Sequence, residues 1–222
     1  MIPTLNAQAH LPRSLPPLVD GVVAGLVREV IVSDGGSTDA TVQIAEAAGC
    51  EVIVGPAGRG PQLIAGANRA RGDWILFLHA DTALDAPWVR EVKQAIEVSG
   101  SSERAAAFRF ALDDGSARAR HLEWWVGVRC GLAKLPYGDQ GLLISRKLYD
   151  TIGGFRPIPL MEDVDLVRRL GARRILMLKT KAVTSAARFQ KDGYSRRSLL
   201  NLVLLARFLM GADPAKLARA YD

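Results

Sequence analysis

The feature that most constrains the fold is the alternation of short apolar runs with helical patterns in the first 100 residues. Strand-like runs occupy about 29–33, 51–54 and 73–81, and helical patterns follow them, the last opening at Pro87. Strands and helices joined by short links require right-handed crossovers, which produce parallel strand pairs. The sequence therefore predicts an α/β fold with a mostly parallel sheet flanked by helices.

The remainder of the chain is less regular. It predicts strands at 105–112 and 173–178, helices at 121–132 and 161–171, and a turn, strand and short helix within 138–155. The tail from Tyr194 onward is helical in pattern. Since no repeat or low-complexity linker divides the chain, we expect one domain over 1–190. A helical extension over 191–222 would then pack on the domain, a partner subunit or a membrane surface.

Composition narrows the environment and the partners. The 222 residues carry a net charge of +6, which favours anionic partners. No basic stretch is interleaved with aromatic residues, so nucleic acid is not an expected partner. No signal peptide is visible, and the apolar stretch 198–210 is too short to span a bilayer. We therefore expect a cytoplasmic protein, either free or peripheral at the inner face of the membrane, with Cys50 and Cys130 unpaired.

Four polar or glycine-rich segments follow predicted strands. They are IPTLN (2–6), SDGGSTD (33–39), the loop after Val54, and HAD (79–81). Ligands of open α/β sheets bind outside the carboxyl ends of the strands. The sequence therefore predicts that these segments converge on one binding site.

Two aspartates in these segments each allow two interpretations. Asp34 follows a strand and can accept hydrogen bonds from a base or ribose, or it can satisfy the backbone N–H groups of its own turn. Asp81 emerges from the very apolar run WILFL, where an unpaired carboxylate is costly. It suits a hard divalent cation, or alternatively a turn cap. Ser37 or Thr38 is the expected cap of the helix that follows Asp34.

An acidic pair, Glu162 and Asp163, opens the predicted helix 161–171. Acidic residues are common in first turns because of the helix dipole, but a carboxylate here can also act as a general base. Asp165 should point away from Asp163. Further along, Arg188 and Lys191 could neutralise a diphosphate or form a solvated basic face.

Aromatic residues and histidines outside these motifs receive mainly structural interpretations. His10 and His121 have no partner pattern and are expected to be structural or surface residues. Trp124 and Trp125 favour core packing over a sugar-binding platform.

Taken together, the motifs resemble the family 2 glycosyltransferases of the GT-A fold. The matching segments, in order, are IPTLN, VSDGGSTDAT, GRGPQLIAGANRARGDWILFLHADT and GGFRPIPLMEDVDLVRRL. They cover roughly residues 1–190. The resemblance implies an inverting transfer of sugar from a nucleotide diphosphate, by default a UDP-sugar, with Mn²⁺ or Mg²⁺ bridging the diphosphate.

The resemblance also implies roles for individual residues. Asp163 would be the general base, with Glu162 as the alternative or an acceptor-binding partner. Asp81 would bind the metal, with His79 as a weaker ligand. The nucleotide would be held by Pro3, Thr4, Asn6, Asp34, Gly35, Arg59, Gln62 and Ala80.

Two departures from the family pattern stand out. His79 occupies the place of the usual first aspartate, which removes one metal carboxylate. Because imidazole ligates transition metals better than it ligates Mg²⁺, this slightly strengthens the case for Mn²⁺. The first strand is also unusually short, which suggests a truncated or mis-assigned start.

The segments YGDQG (137–141) and RFQKDG (188–193) resemble a bacterial subgroup of small stand-alone enzymes. That likeness implies a small-molecule or lipid-like acceptor, peripheral membrane contact through the apolar helix 198–210, and leaves a homodimer open. Two other functions stay open: a sugar-phosphate nucleotidylyltransferase, and a non-catalytic nucleotide-sugar-binding protein, which would have no need of the Glu162–Asp163 pair.

Overall fold

The computed structural model describes residues 1–99 and 104–221. The strands are β1 (Ile2–Thr4), β2 (Ile31–Asp34), β3 (Glu51–Val54), β4 (Trp74–Phe77), β5 (Thr82–Leu84), β6 (Ala105–Leu112), β7 (Leu142–Ser145) and β8 (Ile175–Thr184). The helices are α1 (Leu11–Ser14), α2 (Pro16–Val23), α3 (Thr41–Ala47), α4 (Arg59–Arg69), α5 (Trp88–Ser99), α6 (Ala117–Ala133), α7 (Arg146–Thr151), α8 (Glu162–Leu170), α9 (Ala187–Asp192), α10 (Tyr194–Leu209) and α11 (Pro214–Tyr221). Single 3₁₀ turns lie at Gly138–Gln140 and Ala172–Arg174.

The strands form two sheets that meet at Met1. Strands β1, β2 and β3 pair in parallel, and the second sheet has the order β4-β7-β6-β8-β5. The Met1 nitrogen donates to Leu76 O at 2.8 Å, and Leu78 N donates to Met1 O at 3.1 Å. This is the hydrogen-bond pattern of a parallel pair, so Met1, just before β1, bridges the end of β4 and joins the two sheets side by side. The α/β prediction is confirmed.

Antiparallel pairs occur only in the second sheet of the described chain. Strand β7 runs antiparallel to both β4 and β6, and β5 runs antiparallel to β8, whereas β6 and β8 are parallel. The predicted bounds of β3 (51–54) and β6 (105–112) agree with the structure, whereas the strand predicted at 73–81 is the shorter β4. Strand β5 and helices α1 and α2 had no predicted counterpart. All three are short, and the two helices begin with prolines, so they show little periodicity.

The predicted cap of α3 is wrong. Neither Ser37 nor Thr38 caps this helix, whose N-cap position is Ala40 with no side-chain hydrogen bond. Both residues lie in the loop between β2 and α3. The Ser37 hydroxyl donates to Asp34, and Thr38 N donates to Asn6 Oδ1 in the loop after β1. The local hydrogen bonds of the loop outcompete the cap for these side chains.

The tail from Tyr194 onward is helical as predicted and folds as two helices, α10 and α11. Leu204 of α10 and Leu217 of α11 are buried with Leu160. Arg197 lies over the Tyr221 ring at 4.1 Å and within 3.4 Å of Asp192. The tail therefore packs on the domain, while the 1–190 and 191–222 boundaries stay a prediction.

Two further expectations from the sequence concern unpaired cysteines and the lack of a membrane-spanning segment. Cys50 and Cys130 are both free thiols. Within the described ranges 1–99 and 104–221, no helix is both long enough and apolar enough to cross a membrane.

Gly60 in the first turn of α4 lets the chain around Arg156 approach closely. A Cβ added there would lie 2.7 Å from Arg156 O and 2.6 Å from Ile158 O, closer than backbone atoms tolerate. We predict that Gly60→Ala lowers the free energy of unfolding by about 1–3 kcal/mol through overpacking. Denaturant unfolding would measure this.

Gly127 provides the matched control in an exposed turn of α6, where an added Cβ meets nothing within 4 Å. Gly127→Ala should raise stability by roughly 0.5–1 kcal/mol, because alanine is the better helix former. Equal effects of the two substitutions would contradict the close approach at Gly60.

Candidate active site

The Asp34 carboxylate organises the loop at the end of β2. Its Oδ1 accepts hydrogen bonds from the Thr4 hydroxyl at 2.8 Å and the Ser37 hydroxyl at 2.5 Å. Its Oδ2 accepts from the backbone N–H groups of Gly36 at 2.9 Å and Ser37 at 2.7 Å. These four donors fill the four acceptor positions of a carboxylate.

The electrostatics of Asp34 agree with this arrangement. The side chain is fully buried. Burial by itself would raise its pKa, but the hydrogen bonds from Ser37, Thr4 and Gly36 outweigh burial and lower the pKa. Of the two interpretations that the sequence left open, the geometry favours the structural one, in which Asp34 holds the loop in shape.

Gln62 of α4 ties two strand ends together. Its Nε2 donates to Thr4 O at 2.6 Å and to Ser33 O at 2.7 Å. Gly35 faces this amide, and a Cβ there would lie 3.2 Å from Gln62 and 3.1 Å from Ala57. The end of β1, the end of β2 and the start of α4 are therefore held as one unit.

The remaining predicted nucleotide residues lie around this unit. Asn6 is exposed, has φ of 50°, and accepts from Thr38 N at 2.9 Å. Pro3 pairs with Ser33 in the β1–β2 register, and Ala80 is partly buried against the core. The predicted convergence at the strand ends is thus present, although Asp34 and Gln62 already use polar groups on protein partners.

A second group of predicted residues surrounds a cavity of about 130 Å³. The cavity is lined by Arg59, His79, Asp81, Asp163 and Arg188, together with Tyr137, Asp139, Leu160, Met161, Val164, Thr184, Ser185, Phe189, Arg197, Asn201 and Tyr221. Three of these, Arg197, Asn201 and Tyr221, come from the C-terminal helices. Lys191, which the sequence grouped with Arg188, is exposed on α9.

Asp81 presents a lightly engaged carboxylate to the cavity. In the described chain its side chain has only two long hydrogen bonds, from the Thr82 and Thr184 hydroxyls at 3.4 Å each. Its backbone oxygen accepts from Ser185 N at 3.1 Å, which fixes the residue against β8. The carboxylate therefore retains acceptor capacity for a ligand.

His79 is partly buried beside Asp81 and is neutral at physiological pH. Burial and the nearby Arg59 charge lower its pKa to about 4. A neutral imidazole can serve as a metal ligand or a hydrogen-bond partner.

The residues fit a divalent cation only if a ligand supplies most of the coordination. Across residues 1–99 and 104–221, no three His, Cys, Asp or Glu side chains are grouped so as to hold a metal ion. Asp81 with neutral His79 is the donor set available. Oxygen-seeking cations are often bound by one or two carboxylates plus substrate phosphates, so this donor set fits that mode.

The acidic pair at the start of α8 divides into two environments. Asp163 lines the cavity, where its Oδ2 accepts from Gly138 N at 2.6 Å and its Oδ1 from Val164 N at 2.7 Å. Glu162 is fully buried, and within the described residues neither of its carboxylate oxygens has a hydrogen-bond partner. Arg59 Nη1 lies 3.4 Å from Glu162 Oε1. Asp165 points away as predicted and pairs with Arg169 at 2.7 Å.

Burial makes Glu162 unusually hard to ionise. It raises the Glu162 pKa to about 7, although Arg59 opposes the rise. Arg59 is also affected by its neighbours. Burial lowers the pKa of Arg59, but the nearby carboxyl groups of Glu162, Asp163 and Asp81 raise it on balance. Arg59 thus stays charged beside the cavity.

Sequence reasoning missed Asp139 and Tyr137 as site residues. Asp139 Oδ1 is buried and has no hydrogen-bond partner in the part of the chain that the structure describes, and burial raises the Asp139 pKa to about 7. Arg129 lies over the Tyr137 ring at 3.5 Å. The signal was present in the segment YGDQG, a glycine-bounded polar turn, but nothing local tied it to the strand-end motifs.

Comparison with solved structures places this architecture among GT-A glycosyltransferases. The chain superposes on S. aureus TarS residues 1–349 with a TM-score of 0.63, 16% identity, and coverage of 99% of this chain and 68% of that one. It superposes on Mycobacterium tuberculosis glucosyl-3-phosphoglycerate synthase, in complex with Mn²⁺, UDP-glucose and phosphoglyceric acid, with a TM-score of 0.58 and 25% identity. That match covers 91% of this chain and 77% of the other.

The chain belongs to glycosyl transferase family 2, whose sequence profile matches residues 1–159. An uncharacterized glycosyltransferase of Rickettsia felis is 36% identical over 110 residues. That alignment spans 49% of this chain and 37% of the relative. The predicted family is therefore confirmed.

The raised pKa values of Glu162 and Asp139 predict a pH-dependent stability. Glu162 keeps its proton in the folded protein up to about pH 7, whereas it releases that proton above about pH 4.5 in the unfolded chain. The free energy of unfolding therefore falls as the pH rises from about 4.5 toward 7. We expect Glu162→Gln to gain stability relative to the wild type across this window, by at most about 1.4 kcal/mol per pH unit.

Thermal unfolding at intervals between pH 4.5 and 8 measures this difference. Asp139→Asn should behave in the same direction, because the Asp139 pKa is also raised to about 7. Glu46→Gln, at an exposed position on α3, is the control. A pH-independent difference between Glu162→Gln and the wild type would contradict the buried, proton-retaining state of Glu162.

Proposed function

We propose that the protein is an inverting glycosyltransferase that moves a sugar from a nucleotide diphosphate to an acceptor hydroxyl. One observation carries the proposal: the carboxylates of Asp81 and Asp163 and the guanidinium groups of Arg59 and Arg188 line one cavity at the carboxyl ends of the strands. This reaction requires one carboxylate that binds a metal cation, another that acts as a base, and positively charged side chains that stabilise the diphosphate.

Asp163 is the general base in this proposal. The backbone N–H groups of Gly138 and Val164 fix its orientation, and the carboxylate borders the cavity. It accepts the proton of the acceptor hydroxyl while that oxygen bonds to the anomeric carbon and the bond to the diphosphate oxygen breaks. Glu162, the alternative from sequence, is fully buried and is better suited to hold Arg59 in place.

Asp81 holds a divalent cation, with His79 beside it. A bound Mn²⁺ or Mg²⁺ supplies charge neutralisation to the departing diphosphate. Arg59 and Arg188 add positive charge from the protein itself, which also stabilises a developing phosphate anion. Mn²⁺ in the structure of the Mycobacterium tuberculosis enzyme supports the choice of that ion.

The donor and the setting are further parts of the proposal. UDP-glucose in the same neighbour supports a UDP-sugar donor. The strand-end unit of Thr4, Asp34 and Gln62, with Pro3, Asn6, Gly35 and Ala80, borders the nucleotide. We further propose that the protein works in the cytoplasm. The homodimer remains a prediction from sequence.

The alternatives from sequence are less well supported. Family membership argues against a nucleotidylyltransferase. A non-catalytic nucleotide-sugar-binding protein would have no use for a carboxylate in the position of Asp163, and substitution of that residue tests the distinction.

Asp163→Asn should reduce the rate of transfer by at least about 100-fold, because the general base is lost while the size of the side chain is kept. UDP binding should persist. UDP release from a UDP-sugar in the presence of Mn²⁺ and an acceptor measures transfer, and calorimetry measures binding. Asp165→Asn is the control, since Asp165 pairs with Arg156 and Arg169. Full activity in Asp163→Asn would exclude it as the base.

Asp81→Asn should weaken Mn²⁺-dependent UDP binding by about tenfold or more, because a metal carboxylate is lost. Calorimetric titrations of UDP with and without Mn²⁺ check this. Asp85→Asn is the matched control, since Asp85 lies four residues on and outside the lining of the cavity. Equal UDP affinity of the wild type with and without Mn²⁺ would refute the metal role.

A further inference from the structure

A large groove opens beside the catalytic cavity, between helices α6 and α10. It has a volume of about 790 Å³, against about 130 Å³ for the cavity itself. Most of its wall is apolar, and its lining includes Leu122, Trp125 and Val126 from α6 and Leu199 and Leu202 from α10. A concave apolar surface of this size is typical of a ligand site.

The groove and the cavity share part of their walls. Tyr137, Asp139, Phe189 and Asn201 line both. Asp163, the proposed base, lies on the cavity side of this junction. A molecule that presents a hydroxyl to Asp163 can therefore extend directly into the groove.

Two buried polar atoms at the groove have no partner in the described chain. They are Asp139 Oδ1 and Arg129 Nε. A buried polar group without a hydrogen bond costs free energy, so both atoms are suited to bind polar groups of a ligand. Polar atoms able to bind a ligand therefore lie at the junction of groove and cavity, while apolar side chains form the groove wall beyond it.

The outer part of the groove leaves large apolar side chains in water. Trp125 is 53% exposed, Leu199 and Leu202 are each 61% exposed, and Trp124 stacks edge-on against Trp125 with ring centroids 4.8 Å apart. The sequence interpretation of Trp124 and Trp125 as core residues is therefore wrong. Contiguous exposed apolar surface of this kind marks a binding surface.

We propose that the groove holds the aliphatic tail of the acceptor, so that the acceptor is an amphiphile with a hydroxyl-bearing head and a long apolar tail. This inference rests on the proposed transferase function, because the head is placed by the base Asp163. The continuity of groove and cavity, the unpartnered polar atoms and the exposed apolar rim all favour such a molecule over a small polar acceptor.

A series of n-alkyl β-D-glucosides with four to eight carbons tests the proposal, since the head group is constant and only the tail grows. Each methylene buried from water contributes about a fourfold gain in affinity when burial is complete. In a partly open groove we expect a gain of at least about tenfold from butyl to octyl. Calorimetry below the critical micelle concentration, with the full chain, measures it.

Neighbouring residues on α10 give a matched pair of variants. Leu202 lines the groove, whereas Val203 is 45% exposed and lies outside its lining. Leu202→Asp should abolish the dependence on tail length, and Val203→Asp should keep it. Circular dichroism of both variants checks folding. No tail dependence in the wild type, or equal loss in both variants, would overturn the groove as the tail site.

UDP titration with Mn²⁺ on the same proteins separates this proposal from the proposed function. UDP binding that persists in Leu202→Asp, with tail dependence lost, supports the groove assignment. UDP binding without any tail dependence in the wild type overturns the amphiphilic acceptor alone. Tail dependence in a wild-type protein that does not bind UDP overturns the transferase function, and with it the acceptor role of the bound amphiphile.

Discussion

The arrangement of the site depends on the contacts that the first turn of α4 makes. Gln62 bonds the ends of β1 and β2, Gly60 admits the backbone at Arg156 and Ile158, and Arg59 reaches Glu162 at the start of α8. One turn of helix thus joins the predicted nucleotide side of the site to the acidic pair. Because three separate segments meet there, a small displacement of α4 would move both sides of the site together.

The ionisable groups around the cavity are arranged to interact with a bound ligand rather than to neutralise one another in the free protein. Burial raises the pKa values of Glu162 and Asp139 to about 7, so both are costly to ionise. Asp81 keeps acceptor capacity, and Arg59 stays charged among these acids. Acidic side chains with strongly shifted pKa values are common at functional sites, where a bound ligand supplies the interaction partner that the protein lacks.

The C-terminal helices contribute more than a cover for the core. Arg197, Asn201 and Tyr221 line the cavity, and α10 forms one wall of the apolar groove. The sequence suggested an extension that packs on the domain, on another subunit or on a membrane. In the structure its inner face packs on the domain at Leu204, while Leu199 and Leu202 remain exposed at the groove. The extension thereby becomes part of the proposed acceptor side.

The amino-acid sequence predicted the α/β class, the strand ends that converge, and the family, because alternating apolar runs and ordered motifs are local signals. It also located Asp81 and the Glu162–Asp163 pair. Tertiary structure alone decided that Asp34 and Gln62 are engaged by protein partners, and that Asp163 rather than Glu162 borders the cavity. It also brought Asp139 and the groove between α6 and α10 to the site. The physical reason is that burial and hydrogen-bond saturation depend on segments far apart in the chain, such as Thr4 with Asp34 or Gly138 with Asp163, and no local pattern encodes those contacts.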